Sequence, residues 1–218
     1  MTRDVAFVTI GEAPRPELVA GITRHLAAPP AITEFGALDG LDDGAIRAMA
    51  PADGEERLVT QRRDAREVVV AKAAMQRRLE HLFAAVDGRG FDLIVLLCTG
   101  HFAPFALRTP LLEAQSVVDH FTDGLTYGVA TLGVMVPHPE QCAGFHGIGD
   151  KRIRATHASP YAAPRFTEAA RELRDTDAVV MHCMGYDAAM QREVAAVTGR
   201  PVLLARRLVA SAVALMTE

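Results

Sequence analysis

The sequence predicts an α/β fold of two pseudo-symmetric, Rossmann-like lobes with mainly parallel sheets and a cleft between them. Three observations predict it. Apolar runs of strand length alternate with segments whose apolar residues recur at helical spacing, the pattern of parallel strands joined by right-handed crossovers. The first run, residues 5–10, lacks in–out alternation, as expected of a strand covered on both faces. And one phrase occurs twice: residues 92–101 read DLIVLLCTGH and residues 177–186 read DAVVMHCMGY. In register, Asp92, Val95, Cys98 and Gly100 match Asp177, Val180, Cys183 and Gly185. Each phrase is a strand ending in Cys-x-Gly, which predicts one thiol on each side of a crevice beyond the carboxyl ends of the strands.

The elements follow in order. The strand at 5–10 stops at Gly11, and the loop GEAPRPE sets Pro14 and Pro16 before a helix over 17–26; Pro16 suits a first helical turn, where its missing N–H is no loss. A weaker strand at 31–38 leads into an Asp- and Gly-rich loop at 39–44, and 58–60 reads as a further strand. From Lys72 the period changes, with Met75, Leu79, Leu82, Phe83 and Val86 on one helical stripe. Gly88 and Gly90 end that helix before the first cysteine strand, 93–97. The second half repeats the plan: a strand at 129–136 ending at Pro137, a short helix opened by Pro139, a strand at 153–158, and a helix opened by Pro164. The second cysteine strand at 178–181, a helix at 188–197, a strand at 202–204 and a helix at 208–216 complete the chain. Residues 1–115 with 200–218 are expected to form an N-terminal lobe carrying Cys98, and 116–199 a C-terminal lobe carrying Cys183.

Composition narrows the function classes. The 218 residues are 50% apolar and 23% charged, with a formal net charge of −4, which gives no electrostatic reason to expect nucleic acid or an anionic membrane surface. No apolar stretch reaches the ~20 residues of a membrane helix. The start lacks the basic segment and apolar core of a signal peptide. Three cysteines without a C-x-x-C pair argue for free thiols in a reducing cytoplasm. No HExxH or paired-ligand spacing points to a metal, and neither GxxxxGK[ST] nor GxGxxG points to a nucleotide.

A thiol is a useful acid or base near neutrality, its ordinary pKa being about 8.5. The N–H groups of Thr99, Gly100 and His101, and those of Met184, Gly185 and Tyr186, are expected to open helices behind the two cysteines, favouring thiolates and offering donors to a substrate carboxylate. One base on each face of a carbon is the arrangement that inverts a stereocentre. The bland alternative is that both cysteines fill a core, as cysteines often do. Further candidate substrate contacts at strand ends are Gly11, Arg15, Thr60, Arg63 and Ser159, the last within Ser-Pro-Tyr at 159–161. His101 and His182 flank the cysteines and are candidates to tune them or relay protons. Cys142, without a repeat partner, reads as structural.

VTIGEAPRPE, EFGALDGL, GEERLVT, LLCTGHF and HCMGY, in this order along most of the chain, resemble the AroM family of bacterial proteins. The paired-cysteine plan is also similar to the aspartate/glutamate/hydantoin racemase superfamily. That resemblance implies catalysis without pyridoxal phosphate or metal, by two thiols at the interface of two lobes: Cys98 and Cys183 as acid and base, with Thr99, Gly100, Gly185 and Tyr186 around the carboxylate. His101 and His182 depart from the acidic residues expected there in AroM proteins, and Met184 departs from the small polar residue usual after a racemase cysteine. The expected function is a cofactor-independent racemase or epimerase acting on a small amino acid or related carboxylate. A one-thiol lyase or decarboxylase and a non-catalytic small-molecule binding protein are the alternatives, and a homodimer is compatible with the many apolar positions.

Overall fold

The computed structural model describes residues 2–145, 147–162 and 165–218. In chain order its strands are β1 (Asp4–Thr9), β2 (Ala31–Gly36), β3 (Arg57–Gln61), β4 (Glu67–Ala71), β5 (Leu93–Leu96), β6 (Leu111–Glu113), β7 (Thr131–Val136), β8 (Arg152–His157), β9 (Ala178–Met181) and β10 (Val202–Leu204). Eight of them build two parallel sheets, ordered β2-β1-β5-β6 and β10-β9-β7-β8, while β3 and β4 pair as an antiparallel hairpin. Read from β8, the second order repeats the first, with β7 in the place of β1 and β9 in the place of β5. The repeated aspartates fasten both copies in the same way. Asp92 accepts from the Asp4 N–H at 2.9 Å and Asp177 from the Thr131 N–H at 2.8 Å, so each ties the start of its cysteine strand to the neighbouring strand.

Helices α1 (Pro16–Thr23), α4 (Ala114–Leu125) and α8 (Ala205–Thr217) lie between the sheets, α1 and α4 each packing on α8. Alternate strand residues decide the layers. Val5, Phe7, Val95, Leu132, Val134 and Val180 point into this shared core with Ile22, Val118, Leu208 and Val213. Ala6, Val8, Ile94 and Leu96 point the other way, onto α3 (Lys72–Val86) through Met75, Leu79 and Phe83. Met135, Val179 and Met181 face α6 (Phe166–Glu172) and α7 (Ala188–Thr198). Two short helices, α2 (Asp43–Arg47) and α5 (Pro139–Ala143), cap loops; Asp42 accepts from Ala45 N–H at 2.8 Å to start α2, inside what composition reads as loop. Among the described residues no helix is long and apolar enough to cross a membrane.

Four features depart from the reading of the sequence. The first is the stretch 97–110, where a helix was expected after Cys98 and none forms. Pro104 removes one N–H and drives the residue before it from helical geometry. The backbone is satisfied by side chains instead, Ala103 N–H on Gln76, and Arg108 and Thr109 N–H on Asp87. Second, β4 appears directly before α3, its turn carrying Ala65 at φ 67°. Third, β6 and α4 arise where no element was expected, because the buried stripe of α4 mixes Ala114 and Val118 with Gln115 and Thr122. Fourth, the closing segment 200–218, expected with the N-terminal lobe, completes the second sheet through β10 and the layer between the lobes through α8. Pro164, expected to open α6, lies outside the described residues.

Candidate active site

A cavity of about 430 Å3 opens beyond the carboxyl ends of β1, β5, β7 and β9, between Thr9 and Ile10, Leu97 to His101, Val136 and Pro137, and His182 to Met184. The strands that lead there are buried apolar runs, so the first residues past each strand are the ones that reach the crevice. Cys98 and Cys183 both line it, and both are nearly buried. Each sulfur accepts from the N–H of the glycine two residues on, Gly100 for Cys98 and Gly185 for Cys183, the latter at 3.3 Å. The Cys-x-Gly repeat is therefore a local sulfur-holding turn.

The glycines have a second reason to lack a Cβ. One on Gly100 would come within 2.7 Å of Leu58 Cδ2 on the hairpin, and one on Gly185 would strike the Tyr161 ring. Each cysteine turn is thus roofed by a neighbour, an aliphatic one at Cys98 and a phenol at Cys183. The electrostatics differ accordingly. Burial pushes the Cys98 thiol up to about 12; the Gly100 N–H opposes that, and Cys183 adds to it. Burial pushes Cys183 up to about 11, opposed by the Gly185 N–H and by the charges of Arg206 and Arg15, with Glu67 acting the other way. The expected thiolate-favouring helix ends do not govern either sulfur: no helix follows Cys98, and α7 starts only at Ala188 under an Asp187 cap. Both thiols are protonated at rest.

Arg15 and Tyr161 form the polar side of the cavity beside Cys183. The Arg15 side chain is 6% exposed, gives its Nε to Glu17 at 2.9 Å, and lies over the Tyr161 ring with Cζ 5.7 Å from the centroid while also meeting its hydroxyl. Burial, followed by the nearby Cys183, holds the Tyr161 phenol well above its ordinary range, so it remains a donor. Arg206 sits behind the Cys183 turn. Its guanidinium donates to the carbonyls of Met184 (2.9 Å), Gly185 (3.3 Å) and Glu17 (3.1 Å), in space that Gly21 leaves free. On the Cys98 side, Thr99 Oγ1 donates to the His182 carbonyl at 3.1 Å and so links the lobes. His182 Nε2 stands 2.9 Å from Asp119, which also faces His101 Nε2 at 3.6 Å. Burial works to raise Asp119, but the His182 hydrogen bond and charge outweigh it and hold the carboxyl below its usual range.

Of the residues singled out in the sequence, Cys98, Cys183, Arg15, Thr60, Thr99, Gly100, His101 and Met184 line the cavity. Gly11, Arg63, Ser159, Gly185 and Tyr186 stand behind it. Gly11 lets the hairpin approach, since a Cβ would lie 2.6 Å from Thr60 Oγ1. Arg63 fastens the hairpin turn to the loop after β1, its N–H on Glu12 at 2.7 Å and its Nε on the Ala13 carbonyl at 2.9 Å. Ser159 accepts from the Tyr161 N–H at 3.1 Å and bonds Glu67, which sets the Tyr161 ring. Tyr186 is wholly buried with its hydroxyl on the Ala158 carbonyl at 2.8 Å, so a core position replaces the expected carboxylate contact. Cys142 packs at the edge of the shared core. Arg206 and Asp119 escaped the sequence reading; the signal for each was a polar residue on a buried helical stripe, Arg206 with Val209 and Val213, Asp119 with Gln115 and Thr122. Among the described residues no group of three or more His, Cys, Asp or Glu side chains is gathered for a metal ion.

Residues 5–217 match the family described as AroM protein. The chain belongs to the AroM family. Comparison with curated protein sequences finds no match. Among solved structures this AroM chain is similar to the aspartate racemase of Picrophilus torridus, with a TM-score of 0.60 at 12% identity over 96% of this chain and 92% of the other. It is similar to the glutamate racemase from Aquifex pyrophilus, with a TM-score of 0.58 at 11% identity over 99% and 84%. It is also similar to unliganded arylmalonate decarboxylase, with a TM-score of 0.56 at 12% identity over 99% and 92%. At these identities the likeness is one of fold: a two-lobed α/β architecture common to racemases and a decarboxylase.

Proposed function

We propose that this protein is a cofactor-independent racemase or epimerase that moves a proton at the carbon next to a small substrate's carboxylate, with Cys98 and Cys183 as the two acid–base groups. The observation that carries the reading is the pair itself. Two thiols at matching strand ends, each held by the N–H of the glycine two residues on, line one cavity whose polar side is Arg15 and Tyr161.

The chemistry runs as a single exchange of protons. One cysteine acts as thiolate, takes the proton on the reacting carbon and becomes a thiol. The electron pair left behind spreads onto the substrate carboxylate, where Arg15 and the protonated Tyr161 are suited to stabilise it. The opposite thiol then gives its proton to the other face of the carbon and becomes the thiolate. The site ends with the roles of the sulfurs exchanged and the substrate inverted, and no external reductant, oxidant or cofactor is consumed. The buried thiols make the thiolate scarce at neutral pH, and Arg206 and Arg15 favour it at Cys183 over Cys98.

That inequality gives weight to a second reading, a lyase in which one thiol protonates a carbanion left by loss of a carboxyl group. The test is Cα–H exchange in D2O followed by NMR over amino acids, hydantoins and 2-substituted carboxylates, with Cys98→Ser and Cys183→Ser. Each substitution is expected to lower inversion by about 10^2–10^4-fold, the range of a positioned acid or base. Loss of a carboxyl group needing one cysteine would move the case to the lyase, and absence of exchange on every compound would leave a binding protein.

A further inference from the structure

The cavity is larger than two thiols and a carboxylate need, and its lining includes apolar, neutral polar and charged side chains. Leu18, Val136, Phe145 and Met184 give it an apolar wall, with Arg15 and Tyr161 on the polar side. A guanidinium carries five donors; Glu17 takes the Arg15 Nε, which leaves the terminal N–H groups for Tyr161 and a ligand.

The other cations around the space each already face a carboxylate or backbone carbonyls. Arg57 pairs with Glu140 at 3.2 Å and Lys72 with Glu56, and Glu55 adds a further acid on that wall. His182 and His101 both face Asp119, and Arg206 spends its donors on three carbonyls. A second carboxylate on the substrate would have to compete with Glu140, Glu56 or Asp119 for a cation, or sit among the neutral Thr and Gln side chains or on the apolar surface, where an unpaired charge is costly.

We propose that the site is built for a monoanion: a substrate whose reacting carbon bears one carboxylate, seated on Arg15 and Tyr161, and one bulky apolar substituent, seated against Leu18, Val136, Phe145 and Met184. The proposal rests on the two-thiol reading for which carbon reacts, but not for what binds. Dicarboxylates such as glutamate or aspartate should bind more weakly, because their second carboxylate would meet cations that already carry a partner.

Equilibrium binding tests it without turnover. Calorimetry or ligand-observed NMR on the intact protein would compare phenylacetate with acetate, succinate and glutamate. Phenylacetate is expected to bind roughly ten- to a hundredfold more tightly than the other three, the factor one buried apolar group supplies. Arg15→Met should weaken phenylacetate and acetate alike. Phe145→Ala and Met184→Ala, each checked for an unchanged melting transition, should weaken phenylacetate and leave acetate unaffected. Succinate or glutamate binding as tightly as phenylacetate overturns the proposal, as does no phenylacetate binding at millimolar concentration, or an apolar-wall variant that spares it. Deuterium exchange on glutamate that needs both cysteines would sink the monoanion and keep the two-thiol reading. Tight phenylacetate binding without exchange on any compound would do the reverse.

Discussion

Cys98 and Cys183 occupy the same place in two sheets of the same order, and their turns are held in the same way, yet their surroundings are unlike. Cys98 lies under Leu58 with Phe102 nearby, an aliphatic and aromatic cover that offers no counter-charge. Cys183 lies under Tyr161, with Arg15 on one side and Arg206 behind its turn. The repeated strand, Cys-x-Gly turn and aspartate tie supply equivalent sulfur positions. Residues outside the repeat supply the electrostatic difference, leaving one thiol near 11 and the other near 12. Geometric symmetry in this molecule is a property of the sheets, and chemical asymmetry is a property of the segments that cross over them.

The largest expected effect tests what the two cysteines share. Because both thiols are raised far above neutrality, thiolate grows about tenfold per pH unit, and the exchange rate should climb about a hundredfold from pH 7 to pH 9. A profile that peaks near pH 7 would mean that one sulfur is already a thiolate at rest. Within that rise, alkylation by iodoacetamide should favour Cys183 by about threefold, since the more basic Cys98 thiolate, though scarcer, is intrinsically more nucleophilic.

Arg206→Met attacks the source of the difference. It strips donors from the carbonyls of Met184, Gly185 and Glu17, at about 1–3 kcal/mol for a buried group left unsatisfied, measurable by denaturant unfolding. It should also slow Cys183 alkylation toward the level of Cys98, Arg15 keeping part of the difference. A Cys183 alkylation rate unchanged by the substitution would show that the charge of Arg206 does not contribute to the difference. The smallest change is Tyr161→Phe, which removes a hydroxyl that meets Arg15. kcat/KM should fall about fivefold, the worth of roughly one hydrogen bond. A collapse of kcat instead would make the phenol a proton donor and break the assignment of both acid–base roles to sulfur.

Much of this was legible because the repeat is covalent information. DLIVLLCTG and DAVVMHCMG encode strand, turn and tie in one phrase, and the strands they predict form with cysteines at a common cavity. The sequence says less where a neighbour decides. CTGH and CMGY look alike, but Pro104 stops a helix in one lobe while Asp187 caps α7 in the other. Tyr186 reads as a donor beside the cysteine until Phe166 and the Ala158 carbonyl claim it for the core. Arg206 lies 23 residues beyond Cys183 on a helix that composition marks as apolar, and only packing brings it back to the turn. The hairpin was half visible, since β3 stood without the partner that makes it a roof.

Helices α1, α4 and α8 fill the space between the sheets with residues drawn from both lobes, so the halves cannot swing apart without wetting a continuous apolar interior. Polar links join the hairpin to the opposite lobe: Arg57 to Glu140, the Gln141 amide to the Arg57 carbonyl at 3.4 Å, and Ser159 to Glu67. Such links are exchanged for water at little net cost. On its own side the hairpin is anchored by apolar packing, with Leu58 and Val70 buried in the core that covers β1 and β5, so the cavity's roof belongs to one lobe and meets the other through exchangeable polar contacts.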